Sequence, residues 1–340
     1  MTTHTPMKVV VTGGAGFIGS HLCERLLARG DVVWVLDNFN DFYDPEIKRD
    51  NVRSMQALAK RESRPQALRV IEGDIRDQQL VAKIFKEFQP DGIVHLAAMA
   101  GVRPSLEDPL LYEEVNVRGT LLLLEELRKR PEMRFVFASS SSVYGGNENV
   151  PFRETDDIPH PVSPYAATKR AGELLAYTYH HLYGVDTTCL RFFTVYGPRQ
   201  RPEMAIHKFV RKTLAGEPLP FFGDGSTRRD YTYIDDIVDG VVRSLDRCKG
   251  YEIYNLGESA TTSLDELVRA IGIACGKDPV LNRLPMQPGD VLVTYASVDK
   301  AREGLGYAPS TTVEQGLAQF MTWYHARAVT SAASKEASSG

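Results

Sequence analysis

The chain has 340 residues, with 40 basic and 44 acidic side chains and a formal net charge of −4 at pH 7. A chain of this length can bury a large core, and its near balance of charge argues against nucleic acid or an anionic membrane as a partner. The four cysteines are scattered, which is typical of a reducing cytosol and indicates neither zinc nor a disulfide framework. No apolar run approaches the roughly 20 residues that span a bilayer, and the N-terminus lacks a hydrophobic signal segment, so we expect a cytoplasmic protein.

The first predicted element is a buried strand at Val9–Val11, which leads through a glycine turn into an apolar-faced helix, Phe17–Ala28. This order is what a dinucleotide pyrophosphate site requires. Gly13 permits the tight turn, Gly16 lets the backbone approach the phosphates, and Gly19 lets the helix lie close to its strand. The helix N-terminus offers unpaired N–H groups to the diphosphate. The pattern predicts a dinucleotide cofactor, the alternative being a glycine turn in another kind of α/β protein.

The second predicted strand, Val32–Leu36, ends at Asp37. Asp37 follows the last glycine at about the distance expected of the acidic residue that binds the adenosine ribose hydroxyls. An aspartate at this position repels a 2′-phosphate. The sequence therefore favours NAD over NADP.

Strand and helix patterns alternate through the rest of the first half. The predicted strands are Leu68–Ile71, Ile93–Leu96, Phe135–Ser139 and Thr187–Phe192, and the predicted helices are Leu80–Phe88, Tyr112–Leu127 and Tyr165–Tyr183. Short apolar runs between periodic helices predict an α/β fold with a Rossmann-type doubly wound parallel sheet. Ligands of such sheets bind beyond the carboxyl ends of the strands.

The pattern changes near Gly197, where proline and glycine become frequent and the helices shorten. We therefore expect an NAD-binding Rossmann domain at residues 1–195 and a smaller substrate-binding C-terminal lobe at residues 196–327. The strand-like run Tyr251–Leu256 is expected to return to the large sheet. Residues 328–340 are small and polar and are expected to form a disordered tail.

Tyr165 and Lys169 stand near the start of a predicted helix, and their i to i+4 spacing places phenol and ammonium on one helical face. A free tyrosine has a pKa of about 10 and is a poor base at neutral pH. The charges of Lys169 and of an oxidised nicotinamide would stabilise the phenolate. Alone, the pair could be a surface Tyr and Lys on an amphipathic helix. Because a dinucleotide motif precedes it in the chain, the pair predicts an acid/base tyrosine.

Four serines follow the predicted strand at Phe135–Ser139. Because alternate side chains of a strand face opposite ways, Ser140 and Ser142 are expected to share one face. Either of them could hydrogen-bond the reacting hydroxyl and the Tyr165 oxygen. The alternative is a plain turn at the end of a strand.

Several motifs together resemble the extended short-chain dehydrogenase/reductases that act on nucleotide sugars. They are Thr12-Gly-Gly-Ala-Gly-Phe-Ile-Gly19, His95-Leu-Ala-Ala98, Tyr165-x-x-x-Lys169 and Arg229-Asp-Tyr231. Within that group the sequence is most similar to UDP-glucuronate 4-epimerases. The segments that carry this closer similarity are Asn38–Pro45, Met99–Arg103 and Arg191–Ala205.

The resemblance implies that Tyr165 is the acid/base, that Lys169 binds the nicotinamide ribose, and that Ser140, in preference to Ser142, completes the catalytic triad. It implies an NAD site formed by Gly13, Gly16, Phe17, Ile18, Gly19, Asp37, Asn38, Asp74, Ile75, Leu96, Ala97, Ala98, Asn116, Tyr165 and Lys169. Asp74 and Ile75 would lie beside the adenine, and Asn116 would belong to the motif that orders the active-site backbone.

For the substrate, the resemblance implies that Arg201 meets a sugar carboxylate, which the planar fork of arginine can hold with two parallel bonds. Thr194 stands where UDP-galactose 4-epimerases carry asparagine, which argues against a neutral hexose. The other implied substrate residues are Arg103, Ser141, Ser142, Met204, Phe221 along the base, Arg229 at the diphosphate and Asp290 at the uridine ribose. The alternative for Arg199 and Arg201 is a solvated basic loop.

The implied reaction is NAD-dependent interconversion of UDP-glucuronate and UDP-galacturonate through a 4-keto sugar, by a homodimer. UDP-glucuronate decarboxylases share the first step, but they carry a glutamate at the position of Ser142. A 4,6-dehydratase would need an acidic pair at Ser141 and Ser142. A 4-epimerase of another UDP-hexose stays open, and a non-catalytic NAD sensor would have no use for Tyr165 and Lys169.

Overall fold

A parallel seven-stranded sheet lies at the centre of the protein, in agreement with the predicted α/β fold. The computed structural model describes residues 4–286 and 291–338, with side chains as far as residue 327. The first half consists of β1 (Lys8–Thr12), α1 (Phe17–Arg29), β2 (Val32–Asp37), α2 (Pro45–Arg61), β3 (Leu68–Glu72), α3 (Gln78–Phe88), β4 (Gly92–His95), α4 (Val102–Glu107), α5 (Pro109–Glu113), α6 (Gly119–Leu127), β5 (Arg134–Ser140), α7 (Pro164–Tyr183) and β6 (Thr187–Phe192).

Apart from β11, the strands of the second half are short and pair outside the main sheet. It consists of β7 (Thr194–Tyr196), α8 (Ala205–Ala215), β8 (Leu219–Phe222), β9 (Arg228–Arg229), β10 (Tyr231–Tyr233), α9 (Ile234–Asp246), β11 (Tyr251–Leu256), β12 (Thr262–Ser263), α10 (Leu264–Cys275), β13 (Leu281–Leu284), α11 (Asp299–Leu305) and α12 (Val313–Ser338). Three two-stranded sheets, β7 with β10, β9 with β12 and β8 with β13, belong to this half.

The strand order of the main sheet is β11-β6-β5-β4-β1-β2-β3. The chain runs outward from β1 through β2 to β3 and then crosses to β4, on the other side of β1. Dinucleotides bind at such a reversal of strand order, outside the carboxyl ends of the strands. The predicted return of Tyr251–Leu256 is confirmed, because this segment is β11 and pairs with β6.

Two hydrophobic clusters cover the two faces of the sheet. Val9 and Val11 of β1 pack in one cluster with Leu22 of α1, whereas Val10 lies in the other cluster with Phe135 of β5. The alternation follows from the two-residue period of a strand. Because helices cover both faces, the inner strands β4 and β6 are buried along their whole length.

Two predictions about helices differ from the structure. The helix expected at 112–127 contains a π-helical turn at Glu114–Arg118, between α5 and α6. The tail expected to be disordered from residue 328 continues α12 as far as Ser338. Four of the residues 328–338 are alanine, the residue with the highest helix propensity. Within residues 4–286 and 291–338, none of the helices has both the length and the apolar character needed to cross a membrane.

Candidate active site

A cavity of ≈ 410 Å³ lies at the carboxyl ends of the sheet strands and is lined by both halves of the chain. Most of the predicted site residues line it: Gly13, Gly16, Phe17, Ile18, Gly19, Asp37, Asn38, Asp74, Ile75, Leu96, Ala97, Ala98, Ser140, Ser141, Ser142, Tyr165, Lys169, Thr194, Arg201 and Met204. The structure thus brings together, around one space, residues that are up to 191 positions apart, from Gly13 to Met204.

The glycine turn between β1 and α1 leaves no room for side chains. A Cβ at Gly13, whose φ is +69°, would lie 2.7 Å from the Ala97 nitrogen, and a Cβ at Gly19 would lie 2.2 Å from the Gly13 oxygen. Helix α1 begins after Gly16 without a side-chain cap. A bare turn at a helix N-terminus is a cradle for a diphosphate. These residues therefore fit the pyrophosphate of NAD.

Asp37 ends β2 at the edge of the cavity and is 6% exposed. Its carboxylate accepts hydrogen bonds from the backbone N–H groups of Phe39 (2.9 Å) and Ala15 (3.1 Å). Burial raises the pKa of Asp37, and these two bonds and the charge of Lys48 oppose the rise. The carboxylate is therefore held in place next to the glycine turn, as an acceptor for ribose hydroxyls requires.

Asp74 lies in the cavity beyond β3, beside Asn38. Two bonds to the Arg76 guanidinium hold it, Nε to Oδ1 at 3.0 Å and Nη2 to Oδ2 at 2.9 Å. The Asn38 amide donates to the same carboxylate at 3.1 Å. Hydrogen bonds from Arg76 lower the pKa of Asp74. Asp74 is thus ionised and rigid where the resemblance places the adenine.

Lys169 lies beneath Tyr165, one turn along α7. Its ammonium donates to the Ala138 carbonyl at 2.8 Å and lies 6.0 Å from the centre of the Tyr165 ring. Burial lowers the pKa of Lys169 to about 7. The predicted i to i+4 pair is therefore inside the cavity, and the interpretation as a surface pair is wrong.

The Tyr165 hydroxyl is buried, and burial raises the pKa of Tyr165. A hydrogen bond with Ser140 and the charge of Arg201 act in the opposite direction. The lowered pKa expected from the sequence is thus not produced by the side chains of the chain alone. A further positive charge close to the phenol would favour its ionised form.

The serines that end β5 have different hydrogen-bond partners. Ser139 donates to Glu173 at 2.6 Å on the far side of β5. Ser140 ends the strand and accepts from the Ser142 N–H at 3.1 Å, and its hydroxyl lies 3.1 Å from the Ser142 hydroxyl. A 3₁₀ turn at Ser141–Tyr144, rather than a continuing strand, brings Ser140 and Ser142 together. The contact of Ser140 with Tyr165 favours Ser140 as the triad member.

Asn116 holds the backbone of Met99, which lines the cavity, and is not itself part of the described lining. Its side chain accepts from the Met99 N–H at 2.8 Å and donates to the Met99 carbonyl at 2.9 Å. The amide also donates to Thr168 of α7 at 3.1 Å. The π-helical turn directs Asn116 inward, as such turns often do at functional sites. Asn116 therefore orders the backbone at Met99, and its assignment to the NAD site stays a prediction.

Arg201 projects into the cavity from the C-terminal lobe. Its Nε lies 3.0 Å from Oε1 of Glu203, and its side chain is 21% exposed. Arg199 instead pairs with Glu24 of α1 at 2.8 Å. Neither arginine therefore belongs to a solvated basic loop.

Four predicted substrate residues are not in the described cavity lining. Phe221 is buried in the core. Alternate side chains of β8 face opposite ways, and Phe222 is on the more exposed side. The prediction that Phe221 lies along the base is therefore wrong. Arg103 is exposed and its guanidinium lies 5.8 Å from the Phe222 ring. Arg229 donates to the Arg228 carbonyl at 2.9 Å. Asp290 lies outside the described residues.

Several cavity residues in the segment after β2 are not among those predicted from the sequence. Asn40, Phe42, Tyr43 and Lys48 all line the cavity. The segment Asn38–Pro45 carried the family resemblance, but its residues had no assigned roles apart from Asn38. The available signal was its three aromatic residues, Phe39, Phe42 and Tyr43, which follow the predicted ribose-binding aspartate.

A family model described as GDP-mannose 4,6 dehydratase matches residues 10–320. The chain belongs to this family. UDP-glucuronate 4-epimerase 1 of Arabidopsis thaliana is 44% identical over 337 residues, which cover 94% of this chain and 76% of that protein. UDP-glucuronate 4-epimerase of Thermodesulfobacterium geofontis is 41% identical over 315 residues, covering 92% of this chain and 95% of that protein.

Among solved structures, UDP-glucuronic acid 4-epimerase from Bacillus cereus, in complex with UDP-glucuronic acid and NAD, is similar with a TM-score of 0.85 and 36% identity. The match covers 93% of this chain and 98% of that one. The resemblance to extended short-chain dehydrogenase/reductases is thus confirmed, as is the Rossmann-type fold of this family member. The roles of individual site residues stay predictions.

Proposed function

We propose that this family member is an NAD-dependent UDP-glucuronate 4-epimerase, an isomerase that interconverts UDP-glucuronate and UDP-galacturonate. The observation that carries the proposal is the placement of Arg201 in the cavity that also holds Tyr165 and the glycine turn. A guanidinium near an acid/base tyrosine suits a sugar that carries a carboxylate. The identities to UDP-glucuronate 4-epimerases support the same substrate.

The residues of the chain move and hold protons around C4 of the sugar. Tyr165 takes the proton of the C4 hydroxyl and returns it to the C4 oxygen after the 4-keto sugar has rotated in the site. Ser140 holds the Tyr165 hydroxyl through their hydrogen bond, and the charge of Arg201 favours its ionised form. The Lys169 ammonium lies 6.0 Å from the centre of the Tyr165 ring. Bound NAD supplies the acceptor and the donor for the hydride at C4. Gly13, Asp37 and their neighbours would hold this cofactor.

A 4-keto-uronate is a β-keto acid, which loses CO₂ when the bond from C5 to its carboxylate stands roughly perpendicular to the ketone plane. We propose that Arg201, Thr194 and a serine hold the carboxylate away from that angle. Ser142 is polar but not acidic, which distinguishes this site from a decarboxylase. Ser141 and Ser142 also lack the acidic pair that a 4,6-dehydratase needs.

An NMR time course with UDP-glucuronate and no added cofactor tests the function. We expect a stable mixture with UDP-galacturonate, without CO₂ or free NADH, because each turnover restores NAD. A UDP-pentose product would assign the protein to the decarboxylases instead. No conversion, even with added NAD, would direct attention to other UDP-hexoses.

Arg201→Ala is expected to raise the KM for UDP-glucuronate about 10- to 100-fold, because a charged hydrogen-bonded pair is lost. Part of the product should become UDP-pentose, since the carboxylate is no longer held. Arg201→Lys keeps the charge without the planar fork and should recover only part of the affinity. Steady-state kinetics with NMR product analysis measure both effects, and unchanged kinetics in Arg201→Ala would contradict the assignment.

We also propose that residues 1–195 hold the cofactor, that residues 196–327 supply most contacts to the UDP-sugar, and that two copies of the chain associate. Helix α7 exposes apolar side chains, with Leu174 52%, Tyr177 51% and Leu182 59% exposed. Leu106 and Leu110, on the neighbouring helices α4 and α5, are 63% and 75% exposed. An apolar face of this kind on a helix suits an interface with a second copy. The cytoplasmic location stays a prediction.

Light scattering should therefore give the mass of a dimer for the wild-type chain and of a monomer for the double variant Leu174→Glu with Tyr177→Glu. A buried charge at an apolar interface opposes association. Ile273→Glu is the control, because Ile273 is 80% exposed on the distant helix α10. A monomeric wild-type protein, or a double variant that stays dimeric, would exclude this interface.

A further inference from the structure

The segment between β2 and α2, residues 38–44, lines the cavity and is held by hydrogen bonds within it and with Asp37 and Lys48. The Phe39 N–H donates to Asp37 at 2.9 Å, and the Phe42 N–H donates to the Asn40 side chain at 3.4 Å. The buried Lys48 ammonium donates to the Asn40 side chain at 2.7 Å and to its carbonyl at 2.9 Å. The position of Phe42 is thus set by groups that surround the cofactor end of the cavity.

Phe42 contacts Arg201, which comes from the other half of the chain. The guanidinium carbon of Arg201 lies 5.4 Å from the centre of the Phe42 ring, and both residues line the cavity. A guanidinium at this distance from an aromatic face is attracted by its quadrupole. Glu203 engages the Nε of Arg201 at 3.0 Å. An aromatic face and a carboxylate therefore restrain a side chain that would otherwise have several rotatable bonds.

We propose that Phe42 is a positioning residue that presents the Arg201 guanidinium to the substrate carboxylate. This inference rests on the proposed function. The restraint lowers the rotamer entropy that Arg201 loses when it binds a carboxylate. It also makes the segment that follows the cofactor-binding aspartate part of the selectivity for uronates. Phe42 acts through Arg201.

The test compares Phe42→Leu, which removes the aromatic face, with Phe42→Tyr, which keeps it. Phe42→Leu should raise the KM for UDP-glucuronate about five- to tenfold with kcat within about twofold, as expected for one lost cation–π contact. Inhibition by UDP-glucose, which lacks the carboxylate, should be unchanged. Phe42→Tyr should behave like the wild-type protein.

Arg49→Gln is the matched control, because it removes a similar contact between Arg49 of α2 and Phe39 of the same segment. The Arg49 guanidinium lies 4.8 Å from the Phe39 ring and is not in the described cavity lining. This variant should leave the KM for UDP-glucuronate unchanged. The NAD content of each purified variant, measured after denaturation, shows whether the cofactor site is intact, and we expect wild-type content in all three.

Equal KM values for the wild-type protein and Phe42→Leu would overturn the proposal. So would equal losses in Phe42→Leu and Phe42→Tyr, or a loss of UDP-glucose affinity as large as that of UDP-glucuronate, since either result indicates packing of the cavity rather than guidance of Arg201. If the wild-type protein does not convert UDP-glucuronate, the proposed function fails and this proposal with it. If it does, an unaffected Phe42→Leu variant overturns the positioning role alone.

Discussion

Tyr165→Phe is expected to slow the epimerisation of UDP-glucuronate about 10²- to 10⁴-fold, the usual contribution of a general acid/base. Phenylalanine cannot exchange a proton with the C4 hydroxyl, and in this site the neighbouring serine is hydrogen-bonded to the lost hydroxyl. The ring itself should stay in place, because it packs edge-on against Tyr112 with the ring centres 6.2 Å apart. NMR conversion rates measure the loss.

Tyr233→Phe is the matched control for this prediction. Its hydroxyl donates to Gln319 at 2.8 Å, away from the described cavity lining, so the variant loses a hydrogen bond of the same kind without touching the proposed chemistry. Binding of UDP-glucuronate to Tyr165→Phe should change only a few-fold. A Tyr165→Phe variant with more than a tenth of the wild-type rate would exclude Tyr165 as the main acid/base.

Glu173→Gln is expected to lower the free energy of unfolding by about 3–5 kcal/mol, because it leaves the Arg191 charge buried without its partner. Both side chains are almost fully buried, and Arg191 holds Glu173 with two bonds, at 2.9 and 3.0 Å. Burial raises the pKa of Glu173, but the hydrogen bonds and charge of Arg191 outweigh it, so the pKa lies below its ordinary value. Urea unfolding monitored by circular dichroism measures the loss.

Glu252→Gln is the control for the buried pair. Glu252 lies 2.7 Å from Lys300, but both side chains are about two-fifths exposed, so this ion pair should contribute at most about 1 kcal/mol. Replacing both members of the buried pair by Leu and Met should cost less than Glu173→Gln alone, because no unpaired charge remains. A Glu173→Gln variant as stable as Glu252→Gln would show that the pair does not stabilise the protein.

Local spacing was enough to predict the parts of the site that lie within one element or its turn. The glycine turn needed only the order of strand, turn and helix, and the steric limits at Gly13 and Gly19 agree with it. Tyr165 and Lys169 needed only the period of an α-helix. The serines were predicted to share a face by strand alternation, and the structure brings Ser140 and Ser142 together by a 3₁₀ turn instead.

Contacts between distant parts of the chain could not be predicted in this way. The burial of Phe221 is one example, because nothing in the sequence shows which face of a short strand packs on the core. The pairing of Phe42 with Arg201 joins residues 159 positions apart, and it depends on how the segment after β2 meets the loop before α8.

The alternating fold, the glycine turn, the preference for NAD and the spacing of Tyr165 and Lys169 could thus be predicted from the sequence, because each depends on residues close together in the chain. The contact of Phe42 with Arg201, the buried pair of Glu173 and Arg191, and the hydrogen bonds of Asn116 to the Met99 backbone are visible in the three-dimensional structure alone. Sheet order and helix packing create these contacts, and they follow from the sum of many weak interactions rather than from any local spacing.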